Sequence, residues 1–139
     1  MRFAALPALL RRLAALCYDL LVLTGVVMAT SFGVVVSRAG EAVPAGERWF
    51  QALVLAQAAA YFIGFWSAGG QTPGMRTWKL RVVSLDGTLK PGRAVVRLVA
   101  AIATNAPAGA GLLWMLASRD GRALHDRLSG TIVVRAEGR

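Results

Sequence analysis

The chain has one cysteine and one histidine. A lone cysteine excludes an internal disulfide framework, and Cys17 lies inside an apolar stretch, where it reads as a small buried residue. A single His125 beside Asp126 falls short of the roughly four ligands of a closed metal site. Acid is scarce as well, with 7 Asp and Glu against 16 Lys and Arg. Ser129 stands near His125 and Asp126, but nothing recognisable activates it as a nucleophile. Neither a Gly-x-Gly-x-x-Gly nor a Walker pattern is present to cradle a phosphate. These shortages point away from an enzyme and from any metal, nucleotide or other cofactor.

Charge is also missing from three long stretches: Leu20–Ser37, Trp49–Met75 and Leu98–Ser118. Each is near or above the roughly 20 residues that cross a hydrocarbon core as helix. Apolar residues make up 56% of the chain, and mean hydropathy is +0.54. One soluble core of this size could not hide so much apolar surface, so the bilayer is its natural solvent. The excess of base flanks these stretches, which is the positive-inside pattern. Anionic lipid head groups, not nucleic acid, are therefore the expected counter-charge.

The N-terminus, with Arg2, Arg11 and Arg12 before apolar sequence, imitates a signal peptide. Its apolar run is too long for that, so an uncleaved first span is expected. Spans are expected over about 13–36 and 49–68, joined by a Gly- and Pro-bearing loop. Aromatics such as Trp49, Tyr61 and Trp66 stand towards both ends of the second, as interfacial belts do. Thr72 before Pro73 suits an N-cap with Pro at the first helical position, starting a short helix through about Lys79. Leu80–Leu85 and Thr131–Arg135 read as strands, and Asp86-Gly87 as a turn. Pro91 starts another helix, with Arg93 and Arg97 one turn apart.

The third apolar segment, about 98–118, is interrupted by Asn105, Pro107, Gly109 and Gly111. It is either a kinked span or a pair of half-helices that dip in and return. Lys and Arg number three in the N-terminal flank, two in 38–48, six in 69–97 and five in 119–139. This places the N-terminus, 69–97 and the tail in the cytoplasm. The expected fold is an all-α membrane protein with two transmembrane helices, a broken third segment and a small cytoplasmic two-stranded β element.

Asp19 is the most informative residue, because a carboxylate within a span costs at least about 2.5–3.5 kcal/mol. Arg12 precedes it by two helical turns on nearly the same face, about 10 Å along the axis. That is too far for contact in a straight helix. Asp126 follows the third segment, and if the tail returns to the cytoplasm it can pair with Arg12.

Arg12 and Asp19, then Gly70-Gln-Thr-Pro-Gly74 with Lys79-Leu-Arg-Val-Val83 and Asp86-Gly87, then Leu124-His-Asp-Arg-Leu-Ser-Gly-Thr131 resemble the RDD family of bacterial membrane proteins. The resemblance covers nearly the whole chain and implies a single domain over 1–139. It also implies that Arg12, Asp19 and Asp126 are the arginine and two aspartates of the family name, a polar network of structural or functional weight. His125, Gly70, Thr72, Pro73, Gly74 and Arg76 are the supporting candidates. Met75 departs from the family, many of whose members carry Lys there. The resemblance implies a multi-pass protein of the bacterial inner membrane, with a suggested role in transport. Two or three spans enclose too little space for a path, so transport of ions or small solutes calls for a homo-oligomer. The alternative is an adaptor or assembly subunit of a larger membrane complex, docking through a basic face of Arg76, Lys79, Arg81, Lys90 and Arg93.

Overall fold

A computed structural model of the chain describes residues 2–87, 89–106 and 109–136, with side chains from Leu6 onward. Two long helices dominate it, α1 over Arg2–Ser37 and α2 over Arg48–Gly69. Both are long and apolar enough to cross a bilayer. Leu21, Met28 and Phe32 on α1 and Leu55 on α2 are exposed, as lipid-facing side chains are. α1 begins at Arg2, well ahead of the span expected over about 13–36. Pro7 removes one backbone donor early in the helix, and the helix tolerates that loss. Two side-chain hydrogen bonds join α1 and α2 among the described residues, from Gln57 to Thr30 at 2.7 Å and from Tyr61 to Asp19 at 2.8 Å.

The tightly packed part lies at one end of this pair. Gly70 closes α2 in the left-handed conformation, with φ of 68°. A short α3 follows over Pro73–Thr77, capped by the Thr72 hydroxyl, which accepts from the Met75 N–H at 3.2 Å. The chain then enters β1, Leu80–Ser84. After the turn come α4 over Pro91–Asn105, α5 over Ala110–Ala117, α6 over Leu124–Leu128 and β2 over Thr131–Arg135. The two strands pair antiparallel, from Leu80 opposite Arg135 to Ser84 opposite Thr131. An apolar core of Ala15, Trp66, Met75, Leu80, Val82, Leu89 and Ala94 joins α1, α2, α3, β1 and α4. Met75, where the resemblance leads us to expect Lys, thus fills core space.

The strand pair decides how the third apolar segment runs. Hydrogen-bonded strands lie on one side of any bilayer, so the chain between them leaves and returns on that side. The α4–α5 pair is bent by 86° at its break. With only 8 residues, α5 is about 12 Å long, too short to cross alone. The segment is therefore broken, a sharply bent pair of helices between two paired strands. Gly111 permits the close return, since an added Cβ would lie 2.4 Å from the Thr104 hydroxyl oxygen. Pro107, to which the break was also ascribed, lies outside the described residues. On α4, Ala94, Arg97 and Ala100 turn inward, while Val95, Val96, Val99 and Ile102 form an exposed apolar face.

Candidate functional site

Two buried carboxylates lie within the packed end, and they are held in different ways. Asp19 on α1 is 3% exposed. Its Oδ1 accepts from the Tyr61 hydroxyl at 2.8 Å and from the Gly74 N–H at 2.8 Å. Its Oδ2 accepts from the Thr72 hydroxyl at 2.5 Å. Three neutral donors from α2, the α3 cap and the first turn of α3 thus solvate the side chain. Gly74 makes this approach sterically feasible: a Cβ there would sit 2.1 Å from the Ala15 carbonyl oxygen and 2.9 Å from Asp19 Cγ. Pro73 opens α3 where a missing N–H does no harm. The loop is stitched to β1, as the Val82 N–H donates to the Gly70 carbonyl at 2.7 Å and Gln71 Nε2 to the Leu80 carbonyl at 2.7 Å.

Asp126, on α6, is fully buried and held by charge. Arg12 Nη1 donates to its Oδ2 at 2.5 Å, and Arg97 Nη1 to its Oδ1 at 2.5 Å. Arg97 Nη1 also lies 2.5 Å from the Thr131 hydroxyl, tying α4 to the start of β2. The Arg97 guanidinium lies over the Trp66 ring, 5.0 Å from its centroid. Burial pushes the Asp126 carboxyl up, but Arg97 and Arg12 outweigh it and hold the group below its ordinary range. His125 is pushed down to about 4 by burial, against the attraction of Asp126, so the imidazole is neutral at pH 7. Its Nδ1 lies 3.5 Å from Asn105 Nδ2, a contact whose direction depends on the tautomer. Ser129 donates to the His125 carbonyl at 2.7 Å rather than to the imidazole.

Arg12 and Asp126 are therefore joined, while Asp19 has its own shell. Among the described residues no ion pair or hydrogen bond links the two. What they share is a cavity of about 490 Å³, bordered by Arg12, Asp19, Thr72, Arg97, Asn105 and His125 and otherwise by mostly apolar side chains of α1, α2, α4 and α5. Of the supporting candidates, Thr72 and Gly74 touch Asp19, and Gly70 and Pro73 shape the loop. Arg76 is exposed and has no side-chain partner among the described residues.

Sequence reasoning passed over Arg97, Tyr61 and Thr131 as site residues. The usable signal for Arg97 was its place as the last charge before a long apolar run. Tyr61 looked like a belt aromatic, and Thr131 like a strand residue. In neither case does spacing reveal a partner that is 42 or 34 residues away in the chain.

Comparison with curated proteins and with solved structures gives no match. The model of the RDD family matches residues 6–130, a range that takes in both buried aspartates, the two arginines paired with Asp126 and the α3 loop. This chain is a membrane protein of the RDD family.

Proposed function

We propose that the protein moves ions or small solutes across a bacterial inner membrane as a homo-oligomer, without catalysing a reaction. Its N-terminus, 69–97 and tail face the cytoplasm. The observation that carries this reading is the cavity of about 490 Å³, on which Arg12 and Asp19 border together with Thr72, Arg97, Asn105 and His125 within otherwise apolar walls. Polar groups opening on such a cavity are the usual mark of a solute path or ligand seat. Two spans alone cannot wall a path, so neighbouring copies complete it. Gly64 on α2 has open space where a side chain would stand, and with Ala60 it borders a shallow recess that a second helix can enter.

Asp19→Asn tests the reading cleanly. The amide oxygen retains the Tyr61 and Gly74 bonds, and the amide nitrogen can donate to Thr72, so shape persists while the charge is lost. The expected result is an oligomer on native gels and a cation or proton flux in proteoliposomes that Asp19→Asn abolishes at unchanged protein level. A strict monomer with no flux in the wild type sinks the proposal.

A second reading is favoured by the complete hydrogen bonding of both carboxylates. In it they lock the fold of an accessory subunit, and exposed Arg76, Lys79, Arg81 and Lys90 dock on a partner or on anionic lipid. Arg93 leaves that group, being paired with Asp86. Co-purification of a stoichiometric partner, lost on reversing these charges, supports this role.

A further inference from the structure

The Arg12 end of the cavity has capacity left over. Arg12 spends Nη1 on Asp126 and, among the described residues, makes no hydrogen bond through Nε or Nη2. Its side chain is 11% exposed and borders the cavity, so these donors are not sealed off. Arg12 and Arg97 together face one carboxylate, Asp126, which leaves one positive charge in that cluster while His125 is neutral. Asp19 also borders the cavity, but both its oxygens are engaged, and it lies about 10 Å along α1 from Arg12. Thr72, Asn105 and the neutral His125 also border the cavity, and the rest of the wall is apolar, with Leu13, Leu16, Leu98, Ile102, Leu112 and Val133. Leu13, Leu16 and Ile102 are also exposed on the outer surface, where lipid lies, so the walls continue into the bilayer.

An unspent guanidinium at the end of an apolar chamber matches a ligand with an anionic oxygen head and a hydrocarbon chain. We propose that this cavity binds an anionic amphiphile, its oxyacid head on Arg12 and its alkyl chain between Leu16 of α1 and Ile102 of α4. This names the solute class for the site and rests on the transport reading given above. The head is a fatty-acid carboxylate or a phospholipid phosphate, which present the same chemistry to Arg12.

Trp66 borders the cavity and serves as the reporter. The full-length protein, in an uncharged detergent, is titrated with brominated palmitate, with its methyl ester, and with a brominated phosphatidylglycerol. The expected result is saturable quenching of tryptophan fluorescence, at least tenfold tighter for an acidic probe than for the ester. Trp66→Phe removes the saturable part. Palmitate alone identifies the free acid as the ligand, and phosphatidylglycerol alone identifies the lipid head group. Arg12→Gln brings acid and ester to the same affinity. Because that variant also breaks the Asp126 pair, Ala101→Phe is tested beside it. It fills the cavity from α4, leaves every charge in place, and abolishes saturable quenching at an unchanged melting temperature. Equal quenching by acid and ester in the wild type overturns the proposal, as does unchanged binding by a folded Ala101→Phe. Flux of inorganic cations without amphiphile binding overturns this inference alone. Saturable binding by a strict monomer without flux overturns the transport reading instead.

Discussion

Asp19 and Asp126 are the same residue type, buried to nearly the same degree a short way apart, and the protein stabilises them by opposite means. Asp126 is neutralised by two guanidinium groups, whereas Asp19 is solvated by two hydroxyls and a backbone N–H. The difference follows from what surrounds each. Asp126 lies where α1, α4, α6 and β2 converge, and long arginines from two of them can reach inward. Asp19 lies against α2 and α3, where Gly74 lets a backbone approach that no long side chain could make. Charge pairing tolerates some looseness in distance. Solvation by fixed dipoles depends on the shape of one loop.

The contrast can be broken by mutation, most severely at the charged end. Asp126→Ala leaves Arg12 and Arg97 uncompensated in a buried place and should destabilise by about 3–5 kcal/mol, read as a large loss of melting temperature in detergent. A cost near zero would show that the arginines find other partners and that charge pairing is not what holds this end. Next in size is Gly74→Ala. The new methyl meets backbone on α1, so α3 must back away, and a loss of about 2–3 kcal/mol is expected in the same melt. Asp19→Asn should fall below both, at about 1–2 kcal/mol, because its partners are neutral and an amide can replace the carboxylate. Should it equal Asp126→Asn in the same assay, the distinction between the two aspartates fails.

Acid sharpens the comparison with the smallest effect near neutrality. His125 titrates near its ordinary 6.5 in the unfolded chain and at about 4 in the folded one. The unfolded state therefore binds more protons between these values. Stability is complete above about pH 6.5 and falls as pH drops towards 4, by about 1 kcal/mol at pH 5.5. Asp126, which burial raises but Arg97 and Arg12 hold below its usual range, adds a loss of the same sign at still lower pH. His125→Gln should flatten the upper part of this profile. An unchanged pH profile would mean that the imidazole is not shielded at all.

Much of this architecture was legible in the residues themselves. Charge-free length gave the two spans, the Thr72-Pro73 pair gave the α3 cap, and alternating β-branched residues gave both strands. The broken third segment followed from its Gly and Pro content, but its course did not. Two routes fitted the same residues, and only the pairing of β1 with β2 distinguishes them. The site was half visible. Arg12, Asp19 and Asp126 stood out as charges in or near apolar sequence, and the Arg12–Asp126 pair followed from topology. Arg97 was harder to see, because it stands one turn from Arg93 and reads with it as part of one basic helix face. Tyr61 was hidden by its resemblance to an ordinary interfacial aromatic.

The Arg12–Asp126 bond joins residues separated by 114 positions in the chain. Residues are made in chain order, so Arg12 of α1 is made 114 positions before its partner carboxylate exists. Until residue 126 is made, Arg12 and later Arg97 are cations without their counter-ion, and β1 is an edge without a neighbour until β2 follows. Insertion of the two long helices can be completed early, but closure of the packed end waits for α6 and β2. A nascent chain stalled before residue 126 is thus an inserted but open intermediate, the form a membrane quality-control protease should meet first.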